Sequence, residues 1–81
     1  MITEEIDKQI RSDIADFLHV DIHQLDERDD LIIDFHVDSF EIMRLIVFLE
    51  EKYNIRYNMM QYHNLTTVSS IVEETIKLQQ N

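Results

Sequence analysis

The 81-residue chain contains no glycine and no proline. Glycine supplies the positive backbone φ angles of tight hairpins, of phosphate-binding loops and of most helix C-termini. A chain without it must turn at Asn, Asp and His, which tolerate such angles better than other residues. Helices need neither glycine nor proline in their interior, so we expect an all-α fold. So short a chain has room for one core only, and we expect a single domain over residues 1–81.

The net charge narrows the classes of partner. Seventeen acidic residues against seven basic ones give a formal charge of −10. In a body with a radius of gyration of about 12 Å, neighbouring charges lie within one or two Debye lengths of ~8 Å. This field repels phosphate, so we expect no binding of nucleic acid or of anionic membranes, and it attracts basic protein surfaces. It also opposes self-association, and we expect a monomer.

The compartment can be inferred from what the sequence lacks. No apolar stretch approaches the length of a membrane span, and Glu4, Glu5 and Asp7 stand where a signal peptide would carry basic residues. The absence of cysteine excludes disulfides and thiolate metal sites. We therefore expect a cytoplasmic protein with no membrane insertion.

Three stretches carry apolar residues at helical spacing. The first opens at Thr3, a candidate N-cap, and ends near Leu18. The second follows Asp38, which can cap the helix while Glu41 reaches back in a capping box. The third follows Thr67, and residues 55–64 before it are expected to form a short helix. Together these predict a four-helix bundle of three longer helices and a short third one, with a long loop over residues 19–37.

The second long helix has more apolar residues than its core face requires. At 100° per residue, its core face is formed by Ile42, Leu45, Ile46, Leu49 and Tyr53. Phe40, Met43 and Val47 fall roughly 100–160° away from that face. Either the other helices cover this second arc or it is a docking surface.

Residues suited to catalysis or to metal binding are few. His19 and His23 have a spacing that could share one metal, but no further ligands can be placed. The acidic residues at positions 26–30 are expected to be a solvated loop, because Leu31 and Val37 replace the glycine and the glutamate that an EF-hand loop needs. We therefore predict no catalytic residue, no metal site and no enzymatic activity.

One stretch resembles a known signature. The residues Asp34-Phe35-His36-Val37-Asp38-Ser39-Phe40 and the helix after them resemble the D-L-G-x-D-S-L motif of acyl carrier proteins. The similarity extends in order over the first helix, the long loop and the Leu65-Thr66-Thr67-Val68 sequence before the last helix. The resemblance implies that Ser39 receives 4′-phosphopantetheine as a phosphodiester from coenzyme A. The thiol of that arm would then hold an acyl or aminoacyl group as a thioester.

The same resemblance implies partners and a docking face. A phosphopantetheinyl transferase would modify Ser39, a ligase would load the acyl or aminoacyl group, and a downstream synthase or transferase would use it. Asp38 would act as helix cap and orienting acid. The docking residues that we predict on the helix after Ser39 are Phe40, Met43, Arg44, Val47, Glu50 and Glu51.

Departures from the motif bear on the type of carrier. His36 replaces the glycine, so it must either adopt a positive φ at some cost or rearrange the turn. Arg44 stands where the family commonly has an acid, and Phe40 replaces a leucine. These changes favour a discrete carrier in a specialised polyketide, nonribosomal peptide or lipopeptide pathway. The alternatives are a housekeeping fatty-acid carrier, a D-alanyl carrier, which residues 53–56 resemble weakly, and an unmodified acidic helical adaptor.

Overall fold

A computed structural model describes residues 3–80 of the chain. It contains the α-helices α1 (Thr3–Leu18), α2 (Leu31–Phe35), α3 (Ser39–Tyr53) and α4 (Val68–Gln79). Two 3₁₀ helices span Ile22–Gln24 and Met59–Asn64. Within residues 3–80 there is no β-strand, only an isolated bridge between Asp30 and Thr67. The all-α prediction is confirmed, and the Cα radius of gyration is 11.6 Å.

The short helices differ from the sequence prediction in type and in number. The segment expected to form the short third helix does so over Met59–Asn64, as a 3₁₀ helix preceded by four residues without helical structure. The loop between the first two long helices also contains α2, which was not predicted. Asp30 is the N-cap of this helix, and its carboxylate accepts hydrogen bonds from the amides of Ile32 and Ile33 at 2.9 and 3.1 Å.

The long helices begin nearly where the sequence indicates. α1 is described from Thr3, which is itself helical and therefore not the N-cap. Asp38 caps α3, accepting from the amide of Glu41 at 2.8 Å. Thr67 caps α4 in a reciprocal capping box with Ser70, as predicted for the cap.

One continuous core joins the long helices and the segments between them. In the described part of the chain its buried apolar side chains come from α1, α2, α3, α4 and the connecting segments, and each large one contributes about 1.5–3 kcal/mol by burial. They are Ile6, Ile10, Ile14, Ala15, Leu25, Leu31, Ile42, Leu45, Ile46, Leu49, Tyr57, Leu65, Val68, Ile71 and Val72. The core face predicted for α3 is confirmed, with Ile42, Leu45, Ile46 and Leu49 buried and Tyr53 partly buried against the core.

The chain turns without glycine as the sequence predicts. Positive φ angles occur at His19, His36 and Asn54, with values of 60°, 57° and 55°. Each follows the last residue of an α-helix, and the amides of His36 and Asn54 donate to helix carbonyls. Histidine and asparagine therefore take the place of glycine at these helix ends.

The loops before α2 and before α4 are joined by backbone hydrogen bonds. The amide of Leu31 donates to the carbonyl of Thr66 at 2.8 Å, and the amides of Val68 and Ser69 donate to the carbonyls of residues 29 and 27 at 3.0 and 2.9 Å. The Thr66 hydroxyl also donates to the Asp30 carboxylate at 3.1 Å. These bonds fix α2, and the turn that follows it, against the start of α4.

A buried carboxylate links α1 to the end of α3. Asp13 is 7% exposed and accepts from Lys52 Nζ and from the Tyr53 hydroxyl, both at 2.5 Å. Burial, and then the hydrogen bond to Asp13, raise the pKa of Tyr53 above its usual value. A second pair follows along the chain, where the hydroxyl of buried Tyr57 contacts that of Thr75 on α4. The first contact holds the C-terminal end of α3 against α1, and the second holds the segment after α3 against α4.

Candidate functional site

Ser39 is the first residue of α3, and its side chain is exposed. The Asp38 side chain satisfies the amide of Glu41, whereas the amides of Ser39 and Phe40 donate no hydrogen bond within residues 3–80. Unpaired amides and the positive end of the helix dipole favour an anion at this position. The hydroxyl is therefore accessible to a modifying enzyme, and its surroundings suit a phosphodiester.

The turn before Ser39 is held on both sides. His36 takes a left-handed conformation, with φ 57° and ψ 31°, so the first of the two alternatives for this residue is confirmed. The amide of Val37 donates to the carbonyl of Leu31 at 3.0 Å. The amide of Ile33, with smaller contributions from other donors, lowers the pKa of the Asp30 carboxyl at the start of α2. The position of Ser39 thus depends on α2, which in turn is tied to the start of α4.

A small apolar pocket adjoins Ser39. Its volume is about 160 Å³, and it is lined by Ile32, Ser39, Ile42, Met43, Ile46, Tyr62 and Thr66. An apolar cavity of about 150 Å³ in another protein binds benzene, so this pocket is large enough for a six-membered ring or a short aliphatic group. A group attached to Ser39 would therefore have an apolar surface immediately beside it.

Three lining residues of this pocket were not predicted from the sequence. Ile32 belongs to α2, Tyr62 to the second 3₁₀ helix, and Thr66 to the loop before α4. Only Thr66 had a sequence signal, because it lies in the Leu65-Thr66-Thr67-Val68 sequence. The others reach the pocket through tertiary packing.

The outer face of α3 is exposed. Phe40, Met43 and Val47 are 68%, 51% and 46% exposed, so the other helices do not cover this arc. Phe48, 42% exposed, lies on the same face and was not predicted. A groove of about 400 Å³ runs along it. We call its lining residues, Phe40, Met43, Arg44, Val47, Phe48 and Glu51, the α3 strip.

The charged residues predicted for docking differ in their surroundings. Arg44 donates to Glu41 at 2.9 Å, so Glu41 pairs with Arg44 and does not complete the predicted capping box. Glu50 is half-buried and accepts from the amide of Tyr57 at 2.9 Å. Glu51 is exposed and makes no ion pair with any residue between 3 and 80. The α3 strip thus includes five of the six predicted docking residues, and Glu50 contacts the segment after α3.

The acidic loop serves local structure. The Asp26 carboxylate accepts from the amide of Arg28 at 2.8 Å, and this bond lowers the pKa of Asp26. In the described range, residues 3–80, no three His, Asp or Glu side chains are grouped as metal ligands. None of the helices described is both long and apolar enough to cross a membrane.

Comparison with known proteins agrees with this geometry. The family model for a phosphopantetheine attachment site matches residues 8–74, which include Ser39 and the pocket beside it. An acyl carrier protein of Buchnera aphidicola is 33% identical over 70 residues, covering 86% of this chain and 90% of that protein. Those of Helicobacter pylori and Chlamydia caviae are 32% and 30% identical, covering 82% and 83% of this chain and 85% and 87% of the relatives.

Proposed function

The chain belongs to the acyl carrier protein family with a phosphopantetheine attachment domain, and from this premise we propose that Ser39 is its attachment residue. Its prosthetic group is 4′-phosphopantetheine. When bound, this group supplies a thiol that holds an acyl or aminoacyl cargo as a thioester. The chain's own contribution is to hold the attachment point and to present it to partner enzymes.

The exposed hydroxyl at the first residue of α3 is the observation that carries this proposal. The free amides of Ser39 and Phe40 can donate to phosphodiester oxygens, and the helix dipole stabilises the negative charge. Asp38 is occupied with the amide of Glu41. Its role is therefore to hold the helix N-terminus in place. The residues present fit the prosthetic group.

As in other carriers, the chemistry on the cargo belongs to the partners. These include a phosphopantetheinyl transferase and enzymes that process acyl groups. We propose that the chain provides no catalytic residue of its own, and that it meets an acyl- or aminoacyl-loading ligase and a downstream synthase or transferase in the cytoplasm. The α3 strip is the surface proposed for these encounters.

We further propose that the pathway is a specialised one. The left-handed His36, the exposed Phe40 beside Ser39 and the base at position 44 all change the surface that a partner meets. A shared fatty-acid enzyme that relies on an acid at position 44 would meet the Arg44–Glu41 pair there. Dedicated polyketide, nonribosomal peptide or lipopeptide enzymes are the expected partners.

Intact-mass measurement tests the attachment site. The purified chain is incubated with coenzyme A and a broad-specificity phosphopantetheinyl transferase, and one phosphopantetheine per chain should be added. Ser39→Ala should abolish the addition, whereas Ser69→Ala, at a second helix N-terminus, should leave it unchanged. An unshifted mass for the original chain would contradict the proposal and favour an unmodified adaptor.

A further inference from the structure

His36 lies in the most acidic part of the chain. Between Arg28 and Arg44 it is the only side chain that can carry a positive charge. The same stretch contains five acids, Asp29, Asp30, Asp34, Asp38 and Glu41. An anion attached to Ser39 would be repelled by these carboxylates, and within this stretch His36 alone can offset the repulsion.

The imidazole of His36 has no partner among the residues described. Asp34 accepts from the amide of Asp30 at 2.7 Å, and Asp38 accepts from the amide of Glu41 at 2.8 Å. No ion pair within residues 3–80 includes His36, and its side chain is exposed. The acids closest to it in sequence are thus bonded to the backbone, and the imidazole can bind a group that is added to the chain.

The chain between His36 and Ser39 is short enough for their side chains to meet. Three residues span at most about 11 Å between Cα atoms, even when fully extended. Both side chains are exposed, and the turn between them is held by the bond from the Val37 amide to the Leu31 carbonyl at 3.0 Å. A phosphodiester on the Ser39 hydroxyl is therefore within reach of an imidazole at position 36.

The other bases near Ser39 along the chain are already paired. Arg28 pairs with Asp26 at 3.3 Å and Arg44 with Glu41 at 2.9 Å. Arg44 also lies five residues after Ser39, which is about 7.5 Å further along the helix axis and away from the N-terminal amides. His36 is therefore the side chain best placed to bind an anion at Ser39.

A glycine would form the same turn with less backbone cost, so the imidazole itself needs a role. Building on the proposed attachment at Ser39, we propose that His36 binds the phosphodiester of 4′-phosphopantetheine and donates an N–H to one of its oxygens. The amides of Ser39 and Phe40 donate from the end of α3, and His36 donates from the turn before it. Imidazole has one N–H when neutral and two when protonated, and hydrogen bonds to an ionised acceptor are the stronger kind.

Phosphorus and imidazole NMR of the modified protein test this contact. The chain is converted with coenzyme A and a broad-specificity phosphopantetheinyl transferase, and intact mass verifies the conversion. Imidazole changes its charge between about pH 5 and 8, whereas a phosphodiester does not. Across this range the phosphorus resonance of the original chain should shift at least about twice as far as that of His36→Ala. At constant pH, conversion should also shift the ring resonances of His36.

The variants separate the imidazole from the backbone turn. His36→Ala keeps the Cβ atom that makes the left-handed conformation costly and His36→Gly removes it, but both lack the N–H and should lose the imidazole-dependent shift. The carboxylates of Asp34, Asp38 and Glu41 are present in every variant, so their own titration cancels in the comparison. His63→Ala removes another exposed imidazole, on the 3₁₀ helix Met59–Asn64, and should behave like the original chain.

The outcomes distinguish this contact from the attachment site. If the mass shifts but the phosphorus resonance depends on pH equally in the original chain and in His36→Ala, the contact is absent and Ser39 remains the attachment residue. Equal effects of His36→Ala and His63→Ala would overturn the contact in the same way. An unshifted mass would overturn both proposals. A pH-dependent shift that is lost in both His36 variants and kept in His63→Ala would support the contact.

Discussion

Replacement of His36 by glycine should stabilise the protein. His36 follows α2 with φ 57° and ψ 31°. For a residue with a Cβ atom, the left-handed conformation costs roughly 1–2 kcal/mol, because the Cβ approaches the following carbonyl oxygen. Glycine has no Cβ and avoids this cost, while the amide at position 36 can still donate to the carbonyl of Leu31.

The expected gain is smaller than the cost removed. Glycine gives the unfolded chain more freedom, which offsets about 0.4–1 kcal/mol. The imidazole is exposed and forms no hydrogen bond with residues 3–80, so its loss removes little. We expect His36→Gly to raise the free energy of unfolding by about 0.5–1 kcal/mol. For a domain of this size the midpoint of thermal unfolding should rise by about 2–8 °C.

Circular dichroism during thermal and urea unfolding of the unmodified protein measures this effect. The urea midpoint should rise with an unchanged m-value, because the surface exposed on unfolding stays the same. His63→Gly is the matched control, since His63 is exposed on a 3₁₀ helix and is not among the residues with positive φ. It should destabilise the protein by roughly 0.5–1 kcal/mol. If both glycine variants lower the midpoint equally, the interpretation of position 36 is wrong.

Three further predictions concern buried and capping groups. Asp13→Asn removes the carboxylate that Lys52 and Tyr53 share, and chemical denaturation should show a loss of about 1–3 kcal/mol. The pKa of Tyr57 is raised, chiefly by burial, from 10.0 to about 12. A tyrosine in the unfolded chain ionises at a lower pH than the folded Tyr57. The contribution of Tyr57 to the free energy of unfolding is therefore fully present below pH 10 and should be lost as the pH rises towards about 12. Tyr57→Phe should make the thermal midpoint less dependent on pH in that window. Asp38→Ala removes the cap of α3, and urea unfolding should show a loss of about 0.5–2 kcal/mol.

Each of these has an outcome that contradicts it. Asp16→Asn, at an exposed position of α1, is the control for Asp13→Asn and should stay within about 0.5 kcal/mol of the original chain. Equal effects of these two variants would mean that the buried carboxylate is not a structural link. If the thermal midpoint of Tyr57→Phe depends on pH as steeply as that of the original chain, another group causes the alkaline loss of stability. A fully stable Asp38→Ala would show that the α3 N-terminus does not depend on its cap.

The sequence was sufficient for the long helices because their signals are local. The apolar spacing in α1, α3 and α4, together with the caps Asp38 and Thr67, depends on residues within a few positions of each other. α2 could not be found in this way, since five residues are too few to show a helical period. Its stability comes from the Asp30 cap and from bonds to Thr66, which lies 36 residues away from that cap.

The candidate site likewise contains residues that local sequence predicts and residues that only tertiary packing brings together. Ser39 and Asp38 were predicted from a short motif. Five of the six residues that line the groove of the α3 strip were predicted as docking residues, and only Phe48 was not. The pocket beside Ser39 was missed, because Tyr62 and Thr66 reach it from a distant part of the chain. The pairing of Glu50 with the amide of Tyr57 likewise depends on the path of the chain after α3.

The bonds between residues 27–31 and 66–69 also bear on how the length of this chain can vary. The backbone amides of each stretch donate to carbonyls of the other. An insertion in either stretch would shift these hydrogen-bond partners out of register and displace the turn that leads to Ser39. Residues 55–58 lie outside helical structure and before this junction. Tyr57 of that segment is buried and contacts Glu50 and Thr75, so extra residues should be tolerated there only where they leave Tyr57 in place.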